Sequence, residues 1–93
     1  MAGAEPILEF VFSEHARQQL VRRGIEESLV GEVLAEPDER LEVRSGRVVL
    51  QSELAMDSKT YMVRVVVDID ESPAVVVTAY RTGKIDKYRG LGQ

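Results

Sequence analysis

The sequence contains no cysteine and a single histidine, His15. The absence of cysteine excludes disulfides, thiolate metal sites, iron–sulfur clusters and a cysteine nucleophile, and it is consistent with a cytoplasmic chain. One histidine cannot supply the several His or Cys ligands of the usual zinc sites within one chain. We therefore expect no metal site and no other cofactor, and any chemistry that uses an imidazole depends on His15.

Long apolar runs are also missing, because no run of Val, Ile and Leu exceeds three residues. A transmembrane helix needs about twenty predominantly apolar residues. The first residues, 1–6, lack the basic region and the apolar core of a signal peptide. These features predict a cytoplasmic protein with no membrane segment.

The charge of the chain is unevenly distributed. The 93 residues include 12 Lys+Arg and 16 Asp+Glu, for a formal net charge of −4, and this length predicts one domain over 1–93 with flexible ends at 1–6 and 89–93. Residues 1–77 carry eight basic and fifteen acidic side chains, whereas residues 78–93 carry four basic and one acidic. The negative total argues against indiscriminate nucleic-acid binding, but the basic end permits a local anion-binding surface.

Hydrophobic periodicity predicts two helices in the N-terminal part of the chain. Ser13 is a suitable N-cap for a first helix that Gly24 ends, and a second helix over about 26–36 ends before Pro37. At 100° per residue each helix has one apolar stripe. The stripes consist of Phe12, Ala16 and Leu20 in the first helix and of Leu29, Val30, Val33 and Leu34 in the second.

The remaining sequence alternates as strands do. Residues 40–44 and 47–53 flank the two-residue turn at 45–46, and residues 59–69 and 74–81 flank a turn at 71–73. The pattern predicts an α+β domain in which two N-terminal helices cover one face of a four-stranded antiparallel sheet. The sheet has five strands if residues 7–12 join it.

The hydrophobic pattern also selects a register for each hairpin. Pairing the first hairpin directly across its turn sets Leu41 beside Leu50, and the second hairpin sets Val67 beside Val77. The sheet face away from the helices then collects cations and hydroxyls. These are Arg40, Arg44, Arg47, Arg64, Thr78 and Tyr80.

Two interpretations of these charges are open. Arg44 directly opposite Arg47 is unfavourable unless an anion lies between them, which favours a bound anion. The arginines would otherwise pair with Glu42 and Asp68 in an ordinary solvated charge lattice. The segment from Tyr80 onward is typical of one that stacks a nucleic-acid base on a tyrosine ring and binds a phosphate, here through Arg81, Lys84 and Lys87.

His15 lies near the start of the first predicted helix, beside its apolar stripe rather than within it. Arg22 follows seven residues later, about 20° away in projection and about 10 Å along the helix axis. A neutral imidazole accepts a proton, so His15 is a candidate general base. A histidine at the surface of a helix is also common without any catalytic role.

Three segments of the chain carry a family resemblance: Ser-Glu-His-Ala-Arg at 13–17, Arg-Gly-Ile at 23–25 and Val-Val-Val-Thr-Ala-Tyr-Arg at 75–81. Together they resemble a small bacterial family of unknown function that is grouped with the RelE/BrnT-like toxin superfamily of metal-independent ribonucleases. The resemblance spans about residues 10 to 88. It implies a RelE-like fold, with a helical pair followed by an antiparallel sheet.

The resemblance also implies roles for the matching residues. His15 would act as general base or acid, Arg22 or Arg64 would stabilise the transition state, and Thr78 and Tyr80 would orient the phosphate. The reaction would be attack of a ribose 2′-hydroxyl on the adjacent phosphate without a metal ion. The implied partners are RNA and a small antitoxin protein.

Two further hypotheses remain open. A non-catalytic module with the same fold would bind nucleic acid or an acidic protein segment through its arginines, with an affinity that falls as salt rises. A self-associating domain would pair an uncovered edge strand between two copies to form a homodimer.

Overall fold

The order of helices and strands along the chain follows the sequence prediction. The computed structural model describes residues 4–85. Its elements are β1 (Phe10–Phe12), α1 (Glu14–Arg23), α2 (Glu27–Ala35), β2 (Glu39–Arg44), β3 (Arg47–Met56), β4 (Lys59–Asp68) and β5 (Ala74–Thr82). Of the expected flexible ends, residues 1–3 and 89–93 lie outside the described residues.

The α+β class and the two N-terminal helices are confirmed, and within residues 4–85 the sheet has five strands in the order β1-β5-β4-β3-β2. Strands β2 to β5 form the predicted antiparallel meander. The fifth strand differs from a purely antiparallel arrangement, because β1 pairs parallel with β5. The sheet is therefore mixed. Neither helix within residues 4–85 has the length and apolar character that crossing a membrane requires.

Helix α1 is fixed at both ends by the residues that predicted it. The Ser13 hydroxyl accepts a hydrogen bond from the Ala16 amide at 3.0 Å, and Gly24 ends the helix with φ +67°. The Ser13 amide also donates to the Val76 carbonyl at 3.1 Å. Helix α1 therefore starts directly from the end of β1 and lies against β5.

The hydrophobic core fills the space between the helices and one sheet face. A fully buried Val or Leu contributes about 1.5–3 kcal/mol relative to an exposed one. The helix-side members are Ala16, Leu20, Ile25, Val30, Val33 and Leu34, and the sheet-side members are Val48, Leu50, Val63, Val65, Val67, Val76 and Ala79.

The predicted register of the first hairpin is wrong beyond the turn. Arg44 does lie opposite Arg47, but the register shifts at Val43, so that Leu41 pairs with Val49 rather than with Leu50. An extra residue in one strand moves every later side chain to the other face. Val43 itself is 57% exposed.

A second irregularity lies in β5. Val65 pairs with Ala79 as predicted, but the register then shifts, and Val67 pairs with Val76 instead of Val77. Val76 and Ala79 both lie in the core although they are three residues apart, which requires one additional residue between them.

The sheet face away from α1 and α2 is called here the second face. Side chains directly opposite each other in a strand pair share a face. Three residues of the second face, Val49, Gln51 and Met62, are nevertheless buried.

Candidate functional site

A row of hydrogen-bonded polar side chains crosses the second face from β2 to β5. The buried Gln51 donates through Nε2 to Glu39 Oε1 at 2.5 Å, and its Oε1 accepts from Arg64 Nε at 2.8 Å. Arg64 Nη1 donates to Tyr80 Oη at 2.6 Å. These residues pair directly across neighbouring strands, so the strand register itself aligns them. The guanidinium of Arg64 is thereby held in one orientation.

A second arginine reaches the same tyrosine from α1. Arg23 Nη1 donates to the Ala79 carbonyl at 2.8 Å and to Thr78 Oγ1 at 3.1 Å, and its Cζ lies 6.0 Å from the centre of the Tyr80 ring. Arg64 Cζ lies 5.7 Å from the same ring centre. We call Arg23, Arg64, Thr78 and Tyr80 the candidate site. It places two guanidinium groups and two hydroxyls around one aromatic ring.

Helix α1 contributes one stripe of side chains to the edge of this site. The Thr78 hydroxyl donates to Gln19 Oε1 at 3.4 Å, one helical turn before Arg23. His15 lies one further turn before Gln19 on the same stripe, about 12 Å from Arg23 along the helix axis. His15 is exposed, and its imidazole makes no hydrogen bond or ion pair with any residue between 4 and 85. Its predicted catalytic role stays a prediction.

Of the predicted catalytic residues, the structure brings together Arg64, Thr78 and Tyr80. It does not bring Arg22 to them, because Arg22 lies on the exposed side of α1 and Arg23, the next residue, contacts the sheet. A spacing of seven residues placed Arg22 on the face of α1 that carries His15. The α1 side chains that contact β5 are instead four residues apart, at Gln19 and Arg23.

Arg47 and Asp68 form an ion pair on the second face. Arg47 Nε and Nη2 donate to the two carboxylate oxygens of Asp68 at 2.6 and 3.0 Å. These hydrogen bonds, assisted by the positive charges of Arg47 and Arg44, hold the pKa of Asp68 below its ordinary value. Arg47 is therefore paired with a side chain of this protein, as the charge-lattice interpretation requires. Asp68 lies on β4, on the side of Arg47 away from Arg44, and so does not lie between the two arginines.

Arg40 was predicted on the same face as Arg44 and Arg47, and that prediction is wrong. The bulge sets Arg40 opposite Leu50, which faces the helices, and Arg40 Nη1 donates to the Glu5 carbonyl at 3.3 Å.

The basic residues that follow Tyr80 do not join the candidate site within the described part of the chain. Arg81 lies opposite Val63 on the helix side, with its Cζ 5.3 Å from the Tyr61 ring centre. Lys84 is exposed. Lys87 lies outside the described residues. The predicted basic surface thus divides into separate positions.

Sequence reasoning missed four residues of this arrangement: Gln19, Arg23, Glu39 and Gln51. Two signals were available. Gln19 and Arg23 follow His15 at intervals of four, the spacing that puts side chains on one helical stripe. Gln51 falls opposite Arg64 once β3 and β4 are paired through a two-residue turn at Asp57 and Ser58, whose φ angles are 52° and 67°.

The fold and the site define a small α+β domain whose two helices pack on a mixed sheet and whose arginine–tyrosine site lies where α1 meets β5. The chain belongs to the family described as a domain of unknown function (DUF4258), whose model matches residues 12–81. The match includes every residue of the candidate site, and it confirms the resemblance to a family of unknown function. No curated protein and no solved structure matches the chain.

Proposed function

We propose that this protein is a RelE-like, toxin-type domain that cleaves RNA without a metal ion. The observation that carries the proposal is the fixed position of Arg64, held between Gln51 and Tyr80 Oη at 2.8 and 2.6 Å. Catalysis of phosphoryl transfer requires cations and donors that are oriented before charge develops in the transition state. A guanidinium held on two sides beside a phenol hydroxyl meets that requirement.

The proposed reaction is an internal transesterification. His15 takes the proton of a ribose 2′-hydroxyl, the 2′-oxygen forms a bond to phosphorus, and the bond from phosphorus to the 5′-oxygen breaks. The leaving 5′-oxygen takes a proton from water, the hydroxide so formed takes the proton held by His15, and the products are a 2′,3′-cyclic phosphate and a 5′-hydroxyl. Arg64 binds the non-bridging oxygens, while Thr78 and Tyr80 orient them through their hydroxyls.

The position of Thr78 makes this assignment geometrically reasonable for His15. Thr78 contacts Gln19, and Gln19 is one helical turn, about 5–6 Å along the axis, from His15. A nucleotide bound at Thr78 spans that distance. His15 and the phosphate-binding groups would then act on opposite sides of one ribose.

The test is an RNA cleavage assay with the purified protein in EDTA. We expect products that end in a 2′,3′-cyclic phosphate. A general base or acid typically contributes a factor of about 10² to 10⁴ in rate, so His15→Ala and Arg64→Ala should each reduce cleavage by at least about 10²-fold. Arg17→Ala is the matched control, because Arg17 is an exposed arginine of α1 whose ion pair is with Glu27. Absence of product, or undiminished cleavage by His15→Ala, would contradict the proposal.

The second candidate is a non-catalytic module that binds RNA or an acidic protein segment at the same site. The observation that favours it is the exposed position of His15 without a partner among residues 4–85. This candidate predicts binding that weakens steeply with salt and yields no product. Binding that is insensitive to salt would count against it.

A further inference from the structure

Arg23 is anchored to the sheet, and within the described residues no carboxylate neutralises its charge. Its Nη1 is fixed by the Ala79 carbonyl and Thr78 Oγ1. The side chain is nevertheless exposed, and no carboxylate of residues 4–85 lies within 4.0 Å of it. Arg47, by contrast, forms an ion pair with Asp68. Arg23 therefore presents a positioned positive charge at the surface.

Within residues 4–85, some donors of the Arg23 guanidinium have no partner. An arginine has five N–H donors in a rigid fork, and such a fork matches two oxygens of a phosphate. Only Nη1 of Arg23 is engaged within the described residues; Nε and Nη2 have no hydrogen-bond partner there. Anchoring one nitrogen reduces the entropy that the side chain loses when the remaining donors bind a ligand.

Arg23 and Arg64 approach Tyr80 from different sides of β5. Arg64 belongs to the neighbouring strand β4, whereas Arg23 comes from α1, at the outer edge of β5. Arg23 contacts Thr78 Oγ1 and Arg64 contacts Tyr80 Oη, so a ligand bonded to both hydroxyls would adjoin both cations. Arg23 itself lies in the seam where α1 packs against β5.

We propose that Arg23 is the second phosphate-binding cation of the candidate site and that the backbone of single-stranded RNA binds along the seam between α1 and the outer edge of β5. The choice of RNA rests on the proposed function, but the inference does not depend on cleavage. A single strand is favoured because a phosphate in this seam must approach a helix and a strand edge together, which requires a backbone that bends.

The experiment measures binding with a probe that cannot be cleaved. A fluorescent 2′-O-methyl oligonucleotide lacks the attacking hydroxyl, and its Kd is determined by anisotropy over a range of salt concentrations. Arg23→Ala should weaken binding at low salt by at least about tenfold and reduce the slope of log K against log salt by about 0.7, the value of one phosphate contact on a single strand. Arg22→Ala removes the same charge from the adjacent residue and should weaken binding less than about twofold.

Two further variants separate charge from structure. Arg23→Gln keeps an amide donor for the Ala79 carbonyl but has no charge, so it should lose the same slope as Arg23→Ala. Arg23→Lys keeps the charge without the fork and should retain most of the slope with an intermediate affinity. Thermal unfolding of each variant shows whether the fold is intact, and Arg23→Gln and Arg23→Lys carry the test if Arg23→Ala does not fold.

The outcomes distinguish this inference from the cleavage proposal. Wild-type binding of the 2′-O-methyl probe with loss in Arg23→Ala supports the inference even if unmodified RNA is never cleaved. An unchanged salt slope in Arg23→Ala and Arg23→Gln, an effect of Arg22→Ala equal to or larger than that of Arg23→Ala, or equal affinity for a duplex of the same sequence would overturn it. Failure of the wild-type protein to bind the probe would overturn it as well, whatever the cleavage assay shows.

Discussion

At the scale of single residues, the contacts of Asp68 define its electrostatic role. Its carboxylate accepts both donors of the Arg47 fork, and its pKa is lowered chiefly by those hydrogen bonds. The same contact raises the pKa of Arg47. Because the folded state prefers the ionised carboxylate, Asp68 links stability to pH.

We expect Asp68→Asn to reduce the free energy of unfolding at neutral pH and to have little effect in strong acid. A carboxylate whose pKa is lowered on folding stabilises the folded state above its unfolded pKa, about 3.9, and that contribution is lost as the pH falls through the folded pKa. Urea unfolding of both proteins between pH 7 and pH 2 measures the difference. Glu71→Gln, which removes an exposed carboxylate from the β4–β5 turn, is the control. A difference between Asp68→Asn and wild type that does not change with pH would contradict this role.

Gln51 carries a fully buried amide that bonds Glu39 on one side and Arg64 on the other. Gln51→Leu removes the hydrogen bonds that Gln51 makes to Glu39 and to Arg64. The expected loss is about 1–3 kcal/mol in the free energy of unfolding. Gln18→Leu on the exposed side of α1 should change stability by less than about 0.5 kcal/mol. Equal effects of the two substitutions in urea unfolding would mean that the row of polar side chains does not stabilise the sheet.

How much of the site could be predicted depends on which physical rule places each residue. Alternation along β4 and β5 assigned Arg64, Thr78 and Tyr80 to one region, because the strand period fixes the face of each side chain. Strand alternation could not show which side chain of α1 reaches the sheet. Arg23 and Arg22 differ by 100° around α1, and only the packing of α1 on β5 decides which of them contacts the sheet.

At the scale of elements, two glycines differ in their backbone positions, because Gly24 ends α1 and Gly31 lies within α2. We expect opposite effects on stability when each is replaced by alanine. Gly24 ends α1 at φ +67°, where a Cβ meets no atom within 4 Å but the backbone conformation is unfavourable for other residues. Gly31 lies inside α2, and a Cβ there would be 3.9 Å from Phe10 Cζ, an ordinary contact. The cost of glycine in a helix interior should therefore be recoverable at Gly31.

We expect Gly24→Ala to destabilise the protein by about 1–2 kcal/mol and Gly31→Ala to stabilise it by about 0.5–1 kcal/mol. Thermal or urea unfolding of the two variants measures both values against the same wild type. The same sign for both substitutions would show that backbone conformation does not determine the effect at one of these positions.

The boundaries of α1 and α2 could be predicted because capping residues and periodicity are local properties of the sequence. The bulges could not. An insertion such as Val43 or Val77 changes the face of all subsequent side chains, and the Val-rich segments of β5 look the same in either register. The choice is made by the core, which accepts Val76 and Ala79 together.

At the scale of the whole molecule, β1 and β5 connect the two ends of the described chain. Phe10 pairs with Ala74, and Phe12 with Val76, so the first strand completes a sheet whose last strand forms some sixty residues later. Closing so long a loop costs entropy that only the complete set of contacts repays. The helices and the sheet are therefore expected to fold as one unit.

We expect a single cooperative unfolding transition. The helical signal at 222 nm and tyrosine fluorescence should give coincident urea curves. Leu34→Ala, in the buried face of α2, should lower the free energy of unfolding by about 2–5 kcal/mol. The midpoints of both curves should then move together to lower urea concentration. Curves that separate, or a shift in the helical signal alone, would indicate that α1 and α2 unfold independently of the sheet.

The contact between Arg23 and the Ala79 carbonyl bears on whether another chain can add a strand to the sheet. Beyond its pairing with β1, the outer edge of β5 presents backbone groups of the kind that recruit a foreign strand and begin aggregation. A strand that approaches this edge meets a guanidinium already bonded to the carbonyl that it needs, at 2.8 Å. The side chain that we propose for RNA binding thus also occupies an acceptor that an added strand would need.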